Sequence, residues 1–274
     1  MKHHLKLSNC IRIAVLLIVS LIVIFPFFWM ILGSFKSSVE VQNKNVFFPS
    51  VWMYQNYIDA WNSADFGTYF RNSFLMAAAV VAAQILTSSM AAYAFAKLRF
   101  RLNKPLFMLF LCSMMIPGEA TIISNYLTIS SLKLMNTFFA VVCVSFVSVF
   151  GIFLLRQVYM TIPDSLIEAA KIDGAGEVRT FFSIILPLSK SGLATIGITG
   201  FIGSWNSYMW PMIIANKTEL RTVQTGARAM MDADIGVNWN KLLPIAALIT
   251  LPSLLLFISL QKYFVQGITK AGLK

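Results

Sequence analysis

Residues 73–96 read SFLMAAAVVAAQILTSSMAAYAFA, a run without a single charged side chain. A helix needs about 20 apolar residues to cross the roughly 30 Å hydrocarbon core of a bilayer, and this run is long enough. The whole chain of 274 residues is 58% hydrophobic and 12% charged, whereas an average soluble domain is about 25% charged. This composition predicts an integral membrane protein, and it excludes a soluble enzyme, a disordered chain and a secreted disulfide scaffold.

Five further runs meet the same criterion, so we predict an all-α membrane protein with six transmembrane helices in a single domain, residues 1–274. The predicted spans are residues 11–32, 73–96, 106–130, 136–155, 191–215 and 242–260. The first span follows Lys2 and Lys6, as the core of a signal peptide would. Its apolar run is longer than the usual 7–15 residues, however, and no small-residue cleavage site follows it. We therefore expect it to remain as a helix.

The basic residues predict the orientation of these helices. Most of the 22 Lys and Arg residues lie in segments on the same side as the N-terminus, and the densest cluster is KLRFRLNK at residues 97–104. Lys and Arg in short loops favour the cytoplasmic side. Both termini are therefore predicted to be cytoplasmic in a multi-pass protein surrounded by lipid. The net charge of +11 is then an orientation signal, and we expect no nucleic-acid partner.

A polar stripe runs along the second predicted span. It consists of Gln84, Thr87, Ser88 and Ser89. Small and polar residues favour close packing between membrane helices. The stripe is therefore predicted to join this helix to a neighbouring one.

Residues 156–190 form the most informative predicted cytoplasmic segment. Pro163 suits the first position of a helix, and Gly174 in the following Asp-Gly-Ala-Gly sequence suits a left-handed cap. A second short helix over residues 177–186 is predicted to end at Pro187. The first helix is too short to cross a bilayer. The hairpin is therefore either a stiff connector between two spans or a docking element for a partner protein.

The same segment contains a known pattern. Glu168-Ala-Ala-Lys-Ile-Asp-Gly174, followed after nine residues by Ile184-Ile-Leu-Pro187, resembles the EAA motif of binding-protein-dependent ABC importers. Other segments resemble the carbohydrate-uptake branch of that family, in particular its second permease of the maltose-transporter type. These segments are residues 26–36 (PFFWMILGSFK), 70–73 (FRNS), 91–98 (AAYAFAKL), Trp205-Asn206 and 261–272 (QKYFVQGITKAG). One departure is Ile123-Ser-Asn-Tyr126, where the family often has Pro-Leu-Tyr.

The resemblance implies a permease subunit that forms half of a translocation pore for a sugar or oligosaccharide. The expected partners are a second homologous permease in a heterodimer, two ATPase subunits on the cytoplasmic face and an extracytoplasmic solute-binding protein. The expected location is a bacterial inner (plasma) membrane. The alternative is a permease for a glycerol-phosphate ester or another polyol-like solute, because permeases of this build serve such solutes as well.

The resemblance also assigns residues to the contact with the ATPase. The motif residues Glu168, Ala169, Ala170, Asp173 and Gly174 would make that contact, and the C-terminal tail (residues 261–274), with Gln266 and Gly267, would reach the ATPase dimer. ATP and Mg would be bound by the ATPase subunits, so we expect no cofactor, metal or catalytic residue in this chain. The residues agree, because the chain has no Gly-Lys dipeptide and therefore no Walker A phosphate loop.

Four residues are candidates for the solute pathway. Glu119, beside the Pro117-Gly118 break, is either an acceptor for sugar hydroxyls or a carboxylate at a helix end that reaches the membrane interface. Trp205, Asn206 and Tyr208 combine aromatic faces with an amide, as sugar pockets do. The alternative for the aromatic residues is an interfacial aromatic belt, which is the favoured explanation for Tyr208.

The sequence fits two other classes of membrane protein less well than it fits an importer. A membrane-embedded enzyme would need a catalytic constellation, and the chain has no His-Glu-x-x-His pattern, no paired carboxylates and no nucleophile with a nearby base. An ion-coupled carrier usually buries several charges, whereas Glu119 is the one clear case here. The importer hypothesis alone gives the hairpin a function.

Overall fold

A computed structural model describes the backbone of residues 7–43, 45–228, 230–232 and 236–272. Within these ranges the regular secondary structure is helical, apart from one antiparallel pair of two-residue strands, Met231–Asp232 and Gly236–Val237. The α-helices are α1 (Leu7–Ser34), α2 (Ser38–Gln42), α3 (Gln55–Asn62), α4 (Phe66–Lys97), α5 (Asn103–Ser113), α6 (Ile122–Ser131), α7 (Phe138–Val142), α8 (Val149–Met160), α9 (Asp164–Ile172), α10 (Glu177–Thr180), α11 (Leu186–Leu188), α12 (Lys190–Trp205), α13 (Met209–Ile214), α14 (Val223–Arg228) and α15 (Trp239–Gly272). Short 3-10 helices lie at Gly118–Thr121, Cys143–Ser145 and Thr218–Leu220, and a π-helical turn lies at Phe181–Ile185. The all-α class is confirmed.

Three helical stretches are long and apolar enough to cross a membrane, namely Asn9–Ser34, Phe66–Lys97 and Trp239–Lys262. Each contains one of the predicted spans as a continuous helix. Three bent pairs of helices satisfy the same criterion together, which gives up to six spans if each pair crosses once. They are Asn103–Ser113 with Gly118–Ser131, Phe138–Ser145 with Val149–Met160, and Glu177–Leu188 with Lys190–Trp205, the last meeting at 79°.

The third and fourth predicted spans are not continuous helices, and in the third the interruption lies at the Pro117-Gly118 break noted in the sequence. In the third, Asn103–Ser113 and Gly118–Ser131 meet at 93°. Pro117 lacks an N–H and disfavours a helical residue before it, so the helix ends ahead of it. In the fourth, Phe138–Ser145 and Val149–Met160 meet at 46°.

The fifth predicted span, residues 191–215, is also interrupted. Its helix ends at Trp205, and α13 begins at Met209. Pro211 accounts for the gap, because a proline ring clashes with the carbonyl four residues earlier, here that of Ser207, in a continuous helix.

Contacts between residues divide the chain into two compact units, residues 1–66 with 226–251 and residues 67–225 with 252–274. The single-domain organisation expected from the sequence stays a prediction.

The first unit contains a buried cation just after α1. Lys36 is 1% exposed, its Nζ donates to the Val46 carbonyl at 2.7 Å, and it lies 4.3 Å from the centre of the Trp29 ring. Burial lowers the pKa of Lys36. The Asn56 side chain fixes the same turn by donating to the Ser34 carbonyl at 3.0 Å and the Lys36 carbonyl at 2.9 Å.

The second unit uses the polar stripe of α4 to accommodate a bent span. Gln84, Thr87 and Ser88 donate side-chain hydrogen bonds to carbonyls within residues 145–148, at 2.8, 2.9 and 3.3 Å respectively. The break between the two halves of the fourth span leaves the Ser145 and Phe146 carbonyls without a helical partner, and a hydrocarbon environment offers no water to satisfy them. The Ser148 carbonyl also accepts from the Ile152 N–H at 3.0 Å. The predicted packing role of the stripe is confirmed for these three residues.

Candidate functional site

The segment between α8 and α12 folds as a helical hairpin, residues 161–189, which we call the hairpin. Its first arm is α9, and its turn is at Gly174, whose φ of +78° confirms the predicted left-handed cap. Two hydrogen bonds close the turn. The Ala175 N–H donates to the Ala170 carbonyl at 2.9 Å, and the Gly174 N–H donates to the Lys171 carbonyl at 3.1 Å. This is the Schellman arrangement, which glycine favours because it tolerates positive φ.

The two prolines of the hairpin do not occupy the helix positions that the sequence predicts. Pro163 has ψ of 135° and precedes the first helical residue, Asp164, instead of occupying that position. Pro187 does not end the second arm, because helical structure continues to Leu188. The Leu186 N–H bonds five residues back, to the Phe181 carbonyl. This π turn shifts the hydrogen-bond register ahead of Pro187, so the helix does not depend on the N–H that proline lacks.

One face of the hairpin packs against its own chain, and the other is open. Ile167, Phe181 and Ile185 are buried in a core cluster with residues of α4 and α8. On the opposite side Ile172 is 87% exposed and Val178 is 73% exposed. Apolar side chains this exposed at the tip of a surface hairpin are suited to burial against a partner.

The structure places four of the five predicted ATPase-contact residues on the open side. Glu168, Ala169, Asp173 and Gly174 are exposed. Ala170 is 7% exposed, so it packs the first arm onto its own chain and offers no free surface.

Lys97, the last residue of α4, holds the start of the hairpin. Its Nζ donates to the Ile162 carbonyl at 2.7 Å and to Asp164 Oδ1 at 2.6 Å. The side chain of Lys97 is 6% exposed, whereas that of Asp164 is 75% exposed. The hydrogen bond from Lys97, together with the charges of Lys97 and Arg99, lowers the pKa of Asp164.

Tyr93, one turn earlier on α4, holds the second arm of the hairpin. Its hydroxyl donates to Glu177 Oε2 at 2.5 Å, and its ring centre lies 5.3 Å from that of Phe181. Glu177 Oε1 also pairs with Lys171 Nζ at 2.7 Å, which links the two arms to each other. Tyr93 and Lys97 therefore tie both arms of the hairpin to α4.

Sequence reasoning did not predict these two anchors. The usable signal was their spacing of four residues, which places both side chains on one face at the end of α4. Their partners lie more than sixty residues away in the sequence, so the spacing alone does not identify them.

An open cleft separates the hairpin from the loop that follows α4. Its volume is about 930 Å³. It is lined by Phe95, Ala96, Lys97, Leu98, Arg99, Phe100, Asn103, Asp164, Ile167, Glu168, Lys171 and Glu177. The motif glutamate Glu168 therefore borders this cleft.

The predicted solute-pathway residues lie in different environments. Glu119 is exposed, in the 3-10 helix at the 93° bend. Asn206 is exposed in the gap between α12 and α13, where its Oδ1 accepts a hydrogen bond from Gln224 Nε2 at 3.2 Å. Tyr208, in the same gap, is half-buried.

Trp205 is instead a core residue of the second unit. It is 1% exposed, and its ring stacks on Phe201 at 5.5 Å and contacts Phe74 at 4.8 Å and Phe70 at 5.8 Å. The indole therefore packs into the core next to the gap at Asn206, and a solute contact by this ring stays a prediction.

The C-terminal contact residues are described by their backbone alone. Gln266 and Gly267 lie within α15, which runs to Gly272. Their side chains, and residues 273–274, lie outside the described part of the chain.

Known proteins resemble this chain over most of its length. The sequence profile of the family "Binding-protein-dependent transport system inner membrane component" matches residues 84–270. The sn-glycerol-3-phosphate transport system permease protein UgpE of Yersinia enterocolitica is 33% identical over 261 residues, which are 92% of this chain and 93% of that protein. The arabinooligosaccharides transport system permease protein AraQ of Halalkalibacterium halodurans is 32% identical over 260 residues, 93% of each chain.

A solved structure shares the fold. It is the crystal structure of a bacterial ABC transporter involved in the import of the acidic polysaccharide alginate, and it matches with a TM-score of 0.83 at 22% identity. The match covers 96% of this chain and 99% of the other. Since the family profile covers more than half of the sequence and the relatives align over nearly its full length, this chain belongs to the binding-protein-dependent inner-membrane components and is a permease subunit of an ABC importer.

Proposed function

We propose that this chain forms half of the translocation pore of an importer for a sugar or oligosaccharide, and that the hairpin receives the force of ATP hydrolysis from a separate subunit. The observation that carries the proposal is the hairpin itself, with an open apolar tip and two arms tied to α4. A mere connector needs no such exposed surface. A docking element needs both the surface and the ties.

The proposed assembly pairs this chain with a second homologous permease, two ATPase subunits and an external solute-binding protein. Residues 1–274 act as one permease domain with six spans, three of them bent, and both termini in the cytoplasm. Glu168, Ala169, Asp173 and Gly174 contact the ATPase, and Gln266 and Gly267 extend that contact. ATP and Mg are held by the ATPase subunits, and this chain contributes no catalytic residue.

The hairpin would pass its movement to three helices. It follows α8 and precedes α12 in the chain, and Lys97 and Tyr93 connect it to α4. Closure of the ATPase dimer would displace the tip and therefore turn α4, α8 and α12 together. The pore would then change from an inward-facing to an outward-facing state.

Two relatives of this chain are named for different solutes. One is named for sn-glycerol-3-phosphate and the other for arabinooligosaccharides. The chemistry of the candidate residues favours the neutral sugar. Asn206 and Tyr208 offer uncharged hydrogen-bonding groups, and Glu119 would repel a phosphate. A glycerol-phosphate ester is the second candidate, because of the identity to the UgpE relatives.

The test is a reconstituted transporter with its binding protein and ATPase, assayed for solute-stimulated ATP hydrolysis and uptake. Neutral oligosaccharides, monosaccharides and sn-glycerol-3-phosphate are compared at matched concentrations. We expect stimulation by a neutral sugar and its loss in Asn206→Ala, with Lys190→Met as an exposed control. Stimulation by sn-glycerol-3-phosphate alone would overturn the sugar assignment, and stimulation by none of them would overturn both.

A further inference from the structure

The loop between α4 and α5 is short and joins two membrane segments. α4 ends at Lys97 and α5 begins at Asn103, and α5 is the first half of a bent candidate span. When both helices are embedded, as the proposed function requires, so short a loop must lie at the membrane surface. The Asn103 side chain holds it there by donating to the Leu98 carbonyl at 3.1 Å.

This loop carries three exposed positive charges. Arg99, Arg101 and Lys104 are exposed, and within the described residues none of the three makes a hydrogen bond or an ion pair through its side chain. The sequence has no Asp or Glu between residues 66 and 118. Across the cleft, Asp164 and Glu177 are already paired with lysines. Among the described carboxylates on its lining, Glu168 alone makes no ion pair.

Apolar side chains alternate with the basic ones and continue along α5. Phe100 and Leu102 in the loop are exposed, as are Leu106, Met108 and Leu109 on the helix. The surface therefore has a cationic end at the membrane surface and an apolar strip leading away from it. A phospholipid with an anionic headgroup has the complementary pattern.

We propose that residues 98–104, which we call the basic loop, bind the headgroup of an anionic phospholipid whose acyl chains lie along α5. The basic loop and the first arm of the hairpin border the same cleft. A bound lipid would therefore lie beside Glu168 and bias the position of the hairpin. The lipid would then regulate how efficiently ATP hydrolysis drives transport.

The test is a lipid titration of the detergent-purified transporter, followed by native mass spectrometry. Phosphatidylglycerol and phosphatidylcholine are added separately, and the wild type is compared with the double variant Arg99→Gln/Arg101→Gln. The matched control is Arg71→Gln/Lys217→Gln, which removes two exposed basic residues from segments assigned to the opposite side. Each basic residue at an anionic surface contributes about a fivefold gain in affinity, so the double variant should bind phosphatidylglycerol about 25-fold more weakly. Binding of phosphatidylcholine, and both titrations of the control, should not change.

Three outcomes would overturn the proposal. The first is equal phosphatidylglycerol binding by the wild type and the loop variant. The second is displacement of the lipid by millimolar inorganic phosphate, which would make the site one for free anions. The third is loss of the ATPase subunit from the loop variant, which would make the loop a protein contact. Failure of the proposed function would be recognised separately, by the absence of solute-stimulated ATP hydrolysis in the wild type in every lipid.

Discussion

Replacing Gly174 with threonine should strain the turn of the hairpin without disturbing any side-chain contact. Gly174 has φ of +78°, and a Cβ added there would meet no atom within 4 Å. The cost is therefore conformational. A non-glycine residue held in the left-handed region costs about 1–3 kcal/mol, and β-branched residues tolerate it poorly. At about 2 kcal/mol, the population of locally opened hairpins rises roughly 30-fold.

Gly176→Thr is the matched control for this substitution. Gly176 also has open space around its Cβ position, but its φ of −71° and ψ of 170° are accessible to threonine. It is the N-cap of α10, where threonine is a favoured residue. The same side chain is thus added two residues away without the strain.

The assay combines hydrogen exchange across residues 164–188 of the assembled transporter with the number of solutes imported per ATP hydrolysed. Gly174→Thr should speed exchange around the turn by about 30-fold if exchange follows local opening, and it should lower the transport yield per ATP. Gly176→Thr should do neither. Equal behaviour of the two variants, or full coupling in a well-expressed Gly174→Thr transporter, would refute the reasoning.

Three further predictions concern the anchors, the helix packing and the pH dependence. Lys97→Met removes a charged hydrogen bond to the Ile162 carbonyl, and bonds of this class contribute about 1.5–3 kcal/mol. Exchange at residues 161–165 should therefore rise and coupling should fall, whereas Lys190→Met should change neither. Gly200→Ala places a Cβ 2.6 Å from Gln84 Oε1, whereas the Cβ of Gly203→Ala meets nothing within 4 Å. Gly200→Ala should therefore lower the unfolding temperature through about 1–3 kcal/mol of overpacking. Gly203→Ala should leave the unfolding temperature unchanged or raise it. The folded-state pKa of Asp164 is lowered, so the contribution of Asp164 to anchoring should be present above its unfolded pKa of about 3.9 and be lost as the pH falls through the folded value. Hydrogen exchange at residues 161–165 measures this loss. The Asp164→Asn variant should show no such pH-dependent step.

The helical class and the hairpin were predictable because both depend on local sequence. The uncharged run at residues 73–96 requires a membrane helix whatever surrounds it, and the turn at Gly174 is specified by a backbone conformation that glycine favours. The EAA pattern then identified the family before any fold was known. The comparisons confirm that family.

The Pro117-Gly118 break was visible in the sequence, whereas the other interruptions and the two anchors were not predicted. The anchors depend on contacts between distant residues. Hydropathy averages over a window and does not register that Pro211 prevents a helix through Ser207. The sequence leaves Trp205 open between a solute contact and an aromatic belt, because an aromatic residue in a span has no visible partner until Phe70, Phe74 and Phe201 are placed around it.

The measurement that tests the account most directly is gentle detergent extraction of the full chain from native membranes, with mass spectrometry of the intact complex. We expect one copy of this chain, one copy of a second homologous permease and two copies of an ATPase with a Walker A sequence. Tip variants such as Ile172→Asp should lose the ATPase and retain the second permease. Recovery of the chain alone, or as a homodimer without an ATPase, would contradict the claim that the hairpin couples ATP hydrolysis to transport.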